Sequence, residues 1–187
     1  MDKDIWIVTH GGHKFHITDP WNSTITIEDI AAALSKLCRF NGHTRKFYSV
    51  AQHSVLVSRL TAARNSLHGL LHDAAEAYCG DVTRPMKKLI KGYKDIEANV
   101  HAAIYHALDI QYPTLDEHYD VNVADNVALF TEKRDLLNAA HVVTPDQDLY
   151  PTAAQRITPL SPAIAEKMFL ATYYALKHQP MVTYHDK

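Results

Sequence analysis

Two neighbouring residues, His72 and Asp73, stand inside the apolar stretch Leu70-Leu71-His72-Asp73-Ala74-Ala75-Glu76. Ionisable side chains are seldom buried unless they are paired or bound to a metal, so packing alone explains the pair badly. Two further candidate ligands stand at a distance, His53 in Val50-Ala51-Gln52-His53-Ser54 and Asp125 in Asn122-Val123-Ala124-Asp125-Asn126. The order His, His-Asp, Asp supplies nitrogen and oxygen donors suited to one borderline or hard divalent ion, of the kind Mn, Co, Fe, Mg, Ni or Zn. Four protein ligands leave positions open on an octahedral ion for water and a phosphoryl oxygen. An ion so placed lowers the pKa of water and offsets charge on a phosphoryl group in the transition state.

Other readings of the same residues compete. His68 and His72, at i and i+4, have the spacing of a zinc clamp, but the glutamate that follows the first histidine in a metalloprotease helix is replaced by Gly69. His68 is more simply a packing histidine or a support for the ligands. Cys79 has neither a helix start nor a neighbouring base to activate it as a nucleophile. Of the 13 histidines, His10, His13, His16, His178 and His185 are expected to be structural or solvated.

These side chains need elements to place them. Leu67 to Tyr78 reads as one helix stopped by Gly80, which sets His72 and Glu76 one turn apart on one face and Asp73 about 100° round from His72. Val50, Val55, Val57 and Leu60 predict a helix over 48–63 carrying His53, and 117–140 reads as a long helix carrying Asp125. Ligands from three helices make a site in a bundle core. Around them, Ile5 to Thr9 and Lys14 to Thr18 flank His10-Gly11-Gly12-His13 as a β-hairpin. Thr26 caps a helix over 27–38, with Asp29 reaching back. A Gly42-centred loop carries Arg39, Phe40, His43, Arg45 and Lys46, and Thr83 to Ile90 begins a short helix at its proline. Helices follow over 94–108 and 162–178, joined through a proline-bearing loop over 142–159. The expectation is an all-α bundle with a small amino-terminal β-hairpin, a single domain over 1–187 with its metal-binding core in 27–140.

A chain of 187 residues is long enough to bury a substantial core. Its 47% hydrophobic and 21% charged residues are ordinary for a globular domain. A net charge of −2 gives no basic footprint, which argues against a nucleic-acid polymer as partner and leaves room for a small anion. Cys38 and Cys79 are too few for a disulfide framework and fit a reducing cytoplasm. Met1-Asp2-Lys3-Asp4 lacks the basic-then-apolar order of a signal peptide. No apolar run approaches the roughly 20 residues needed to span a bilayer.

Several motifs together resemble the HD-domain metal-dependent phosphohydrolases. Phe47-Tyr48-Ser49-Val50-Ala51-Gln52-His53-Ser54 followed by His72-Asp73-Ala74-Ala75-Glu76 is similar to their first two motifs, and Ala124-Asp125 to the last metal motif. Gly80-Asp81-Val82-Thr83-Arg84-Pro85-Met86-Lys87 resembles the Gly-Asp-x-x-x-Pro-x-Lys stretch of bacterial 5′-deoxynucleotidases, and Arg39-Phe40 their arginine–aromatic pair against the nucleotide. The branch also includes phage dATP triphosphohydrolases. The resemblance spans about residues 27–140 and implies one divalent metal on His53, His72, Asp73 and Asp125. It implies Glu76 as acid, base or water-orienting carboxylate, with Asp81 supporting it or holding the sugar. Arg39 and Lys87 would meet phosphate, with Phe40 near the base. The implied activity is removal of mono- or triphosphate from deoxyribonucleotides by metal-activated water, in a homo-oligomer. Two departures stand out: the hairpin over 5–18 is foreign to the nucleotidase pattern and bears on the pocket entrance, and Phe40 replaces a tryptophan. Thr44-Arg45-Lys46 is a further candidate for triphosphate contact. The alternatives are a phosphodiesterase on a cyclic or signalling nucleotide, with His101 and His106 supplying a second metal, and a catalytically silent nucleotide sensor.

Overall fold

The computed structural model describes residues 5–139 and 141–178. Met1 to Asp4, the end of the expected long helix at Ala140, and His185 lie outside them. The architecture is a helical bundle with a small antiparallel hairpin of β1 (Trp6–Val8) and β2 (Lys14–His16), in register Trp6 to His16. Among the described residues, no helix is long and apolar enough to cross a membrane.

Helix α1 (Ile27–Lys36) starts where the Thr26 hydroxyl accepts from the Asp29 N–H at 3.1 Å, with Glu28 and Asp29 favourably placed in its first turn. The Asp29 side chain does not reach back to close a capping box, as its spacing predicts. It turns instead to the hairpin and accepts from Gly11 N–H (2.5 Å), the Thr9 hydroxyl (2.8 Å) and His13 Nδ1 (3.0 Å). Three donors outside the helix outcompete one backbone N–H at its cap. The hairpin is further fixed by Phe15, fully buried and stacked on Tyr78 with ring centroids 3.7 Å apart.

The bundle core gathers Ile30 and Leu34 of α1 and Val55 of α2 (Val50–Leu60). To these it adds Leu70 and Leu71 of α3 (Ser66–Leu71), Ile104 of α6 (Tyr93–Ala107) and Phe169 of α8 (Pro162–Lys177). Helix α2 is central and packs on α1, α3, α7 (Leu115–Leu136) and α8. Its start is capped by Ser49, which accepts from Gln52 N–H. Helix α7 begins two residues before the expected Glu117. Thr114 and Glu117 form a reciprocal capping box there, Thr114 N–H donating to Glu117 Oε2 at 2.8 Å.

The helix expected over 67–78 is broken. Helix α3 ends at Leu71 and a separate turn, α4 (Glu76–Cys79), resumes at Glu76. Between them the backbone tightens to three-residue spacing, with Ala74 N–H donating to Leu71 O (2.9 Å) and Glu76 N–H to Asp73 O (3.0 Å). The cause is local. Gly69 O, which a continuing helix would offer to the N–H of residue 73, accepts instead from His72 Nδ1 at 2.9 Å.

Past Gly80, α5 (Arg84–Lys87) is a short proline-started turn. The connection after α7 is held down by buried polar groups. Asp135 accepts from Arg156 (2.5 Å) and Ile157 N–H (2.9 Å), while Gln52 donates to Thr158 O and accepts from Leu160 N–H, both at 2.8 Å.

Candidate metal centre and adjoining cavity

The four expected ligands converge. His53 comes from α2, His72 and Asp73 from the tightened segment after α3, and Asp125 from the middle of α7. His53 Nε2 lies 3.3 Å from His72 Nε2, 3.5 Å from Asp73 Oδ2 and 3.3 Å from Asp125 Oδ1. His72 Nε2 lies 3.2 Å from Asp73 Oδ2 and 3.9 Å from Asp125 Oδ1. Among the described residues, His53, His72 and Asp73 are the one group of three such side chains compact enough to hold a metal ion. Asp125 closes on both histidines from α7.

The donor chemistry fits a cation. His53 Nδ1 is 2.6 Å from Glu132 Oε1 and His72 Nδ1 is 2.9 Å from Gly69 O, acceptors that require the proton on Nδ1 in each ring. With Nδ1 so anchored, both rings turn Nε2 towards the carboxylate oxygens of Asp73 and Asp125. Electron-rich atoms crowded on one point need positive charge there. The same demand shows in the titration of the groups. Burial and Arg39 press the His53 pKa down, yet Glu132 and the hydrogen bond to Asp125 carry it up to about 9. Asp73 stays far below the usual carboxylate range against its burial, held by His72, His53 and Arg39. Asp125 is held low in the same way by His53 and His72.

A cavity of about 250 Å³ opens beside this cluster, and its wall includes Arg39, Phe40, Asp73, Glu76, Asp81, Lys87 and Asp125. Seven of the nine residues singled out in the sequence therefore share one wall, and the other two, His53 and His72, stand behind Asp73 and Asp125. Glu76 is buried, with Oε1 3.3 Å from Lys87 Nζ and Oε2 without a hydrogen-bond partner. Burial, then Asp73 and Asp81, push its pKa up to about 9 against Lys87 and Arg39, so it is a carboxylic acid at neutrality. Asp81 is raised too, chiefly by burial. Burial lowers the affinity of Lys87 for its proton, but a 2.6 Å hydrogen bond to Glu97 and the charge of that carboxylate more than reverse that, so the ammonium persists.

Arg39 and Phe40 open a tight loop in which Phe40, Asn41 and Gly42 all have positive φ (55°, 49° and 78°). This turn sets the Phe40 ring on the cavity wall, with the Arg39 guanidinium carbon 5.3 Å from its centroid. Arg39 is less free than a pure phosphate receptor would be. Nε and Nη2 donate to Glu132 Oε2 at 3.2 and 3.1 Å, and Nη1 lies 3.6 Å from Asp73 Oδ2.

Other candidates fall elsewhere. Arg45 donates to Asp135 O and lines a separate cavity with Lys133, Arg134 and His141, so the basic loop does not extend the first cavity. His101 Nε2 meets Leu71 O at 3.1 Å and His106 packs on Trp21, which leaves neither beside the cluster. His68 stacks on Tyr105 rather than joining His72. Cys79 is a partly buried thiol with its pKa raised to about 11, chiefly by burial. No residue of the hairpin lines the cavity; the ribbon packs on α4 through Phe15 and Tyr78.

Three participants were missed in the sequence. Glu132 is fully buried behind His53, and its signal was available: it follows Asp125 by seven residues, two turns along the same face. Arg84 donates to Asp125 Oδ2 at 2.5 Å, leaving Oδ1 turned to the histidines. Glu97 anchors Lys87. Single charged residues on helices carry no such signal.

Two relatives accompany this geometry, and no family model matches the chain. The chain is 39% identical over 113 residues, 55% of its length and 58% of the relative's, to the uncharacterized protein RCAP_rcc00048 of Rhodobacter capsulatus. It is 37% identical over 169 residues, 90% of its length and 93% of the relative's, to the uncharacterized protein YfdR of Escherichia coli (strain K12). At that identity over nearly the whole of both proteins, the chain belongs to the YfdR family.

Proposed function

We propose that the protein is a metal-dependent phosphohydrolase of the HD-domain type that removes phosphate from deoxyribonucleotides. The observation carrying this reading is the meeting of four lone-pair donors from three chain segments at the wall of a cavity. That cavity also holds a protonated carboxyl and three cationic side chains, Arg39, Arg84 and Lys87. A divalent ion held by His53, His72, Asp73 and Asp125 supplies Lewis-acid charge and an activated water. Lys87 Nζ and Arg39 Nη1 bind phosphoryl oxygens, the arginine as part of a planar fork and the lysine as a point charge. Glu76 carries the proton that the departing sugar oxygen requires, and Asp81 helps to keep it protonated and faces the sugar. Phe40 offers a flat apolar surface to the base. With Arg45 in another cavity and the Arg84 guanidinium tied to Asp125 and Asn126, Arg39 and Lys87 are left to meet the phosphate, which favours a monoester over a triphosphate.

The test is a panel of deoxynucleoside mono- and triphosphates with Mn²⁺, Co²⁺ and Mg²⁺, reading phosphate, pyrophosphate and triphosphate separately. Deoxynucleotides should turn over, with phosphate as the main product. Asp73→Ala should lose both bound metal and turnover while remaining helical by circular dichroism. Full metal occupancy in the folded variant, or better hydrolysis of a ribonucleotide or a non-nucleotide ester than of any deoxynucleotide, would overturn the assignment.

A further inference from the structure

Glu132 does not line the cavity and is not one of the four converging donors, yet it touches both halves of the site. Its side chain is fully buried and its two oxygens have different partners. Oε1 accepts from His53 Nδ1 at 2.6 Å, and Oε2 accepts from Arg39 Nε and Nη2 at 3.2 and 3.1 Å. The same two partners meet again at Asp73, where His53 Nε2 and Arg39 Nη1 lie 3.5 and 3.6 Å from Oδ2. Two carboxylates, one imidazole and one guanidinium thus form a closed ring of charge contacts.

The ring has a mechanical consequence. Two of the three guanidinium nitrogens are fixed on Glu132, so the third, Nη1, can trade partners without the side chain leaving its place. When Asp73 Oδ2 turns to a cation, Nη1 loses that carboxylate while Nε and Nη2 stay anchored, and it is presented to the cavity as an unpaired donor. An anion taken up by Nη1 in turn removes a competitor for Asp73. A carboxylate behind a metal-ligand imidazole also orients the ring and raises its basicity, so the same residue acts on both ligands.

We propose that Glu132 is a positioning residue that couples cation binding at His53 and Asp73 to anion binding at Arg39. This rests on the reading above, in which a divalent cation and a phosphate ester meet in this cavity. A plain buried brace would stabilise the fold without linking the two affinities.

The experiment is calorimetric titration of the metal-free full chain with Mn²⁺, with and without saturating inorganic phosphate. In the wild-type protein phosphate should tighten Mn²⁺ binding by about 5–150-fold, the usual range of such linkage. Glu132→Gln keeps the shape and removes the charge. It should weaken Mn²⁺ binding alone by about 10–100-fold and shrink the tightening by phosphate at least several-fold. Arg39→Gln is the second arm, for the case in which Glu132→Gln does not fold. It leaves Asp73 and Glu132 wholly to the histidine and the cation, so it should tighten Mn²⁺ binding in the absence of phosphate. Coupling is overturned if a folded Glu132→Gln keeps the wild-type tightening by phosphate, or if Arg39→Gln leaves Mn²⁺ affinity unchanged. A wild-type chain that binds no Mn²⁺ overturns the phosphohydrolase reading and the coupling together. One that binds Mn²⁺ and phosphate independently overturns the coupling alone.

Discussion

Glu76 sets the behaviour of the site at the scale of single residues. Its carboxyl is pushed up to about 9 in the fold, against an ordinary value of 4.5. Between those two values the folded chain holds a proton that the unfolded chain has released, so stability falls as pH rises through that window and is fully present below it. The metal-free wild-type protein should therefore melt progressively lower as pH goes from about 6 to 9. Glu76→Gln should make that slope shallower, His53 supplying the remainder, while lowering turnover by roughly 10²–10⁴-fold with metal affinity kept. A melting series with the wild-type slope in Glu76→Gln would show that the proton sits elsewhere. Residue types were the most legible part of the sequence. His53, His72, Asp73 and Asp125 are hard to explain as packing, and Arg39, Phe40, Lys87, Glu76 and Asp81 follow from motifs; the structure brings all nine to one place. Glu132 was legible only through its spacing, two turns after Asp125 on one helix face, whereas Arg84 and Glu97 were not, because a lone charged residue on a helix reads as solvated surface until its partners are known.

At the scale of elements, the contact between α2 and α3 decides whether His53 meets His72. Gly69 is what lets those helices approach. A Cβ there would stand 2.6 Å from Thr61 Oγ1 and 3.0 Å from Ser58 Cα, and the threonine hydroxyl is tied to Val57 O. Gly69→Ala should cost about 1–3 kcal/mol through overpacking, and by displacing Gly69 O it should also weaken Mn²⁺ binding. Chemical denaturation with metal titration measures both; an unchanged metal affinity in a destabilised variant would separate helix packing from ligand placement. Periodicity located the helices within a few residues but ran α3 and α4 together. Apolar spacing reports which face is buried and says nothing of a side chain that takes a carbonyl from the helix ladder, as His72 does at Gly69. The capping box of α7 was visible in Thr114 and Glu117 and was overlooked because Leu115, 87% exposed, extends no apolar stripe.

For the molecule as a whole, the amino-terminal ribbon is a support placed behind the site. Asp29 joins it to α1 through three hydrogen bonds, and Phe15 carries it onto α4. Burial raises the Asp29 carboxyl, but His13, Thr9 and Gly11 bring it below the ordinary 3.8, so its contribution is present above that value and lost in acid. Asp29→Asn should lower stability by about 1–3 kcal/mol with Mn²⁺ affinity retained. A variant that loses metal binding in step with stability would instead make the ribbon part of the site. Neither this attachment nor the turn at Phe40 is written in local sequence, because both depend on groups far apart along the chain. The Phe40 turn bears on how the protein changes over generations. Phe40 and Asn41 hold a left-handed backbone that glycine adopts far more readily, at a cost on the order of 1–3 kcal/mol each. Selection for endurance alone would drift these positions towards glycine and erase the aromatic wall of the cavity. A lineage that keeps phenylalanine there is one in which the ligand, rather than the fold, has been choosing the residue.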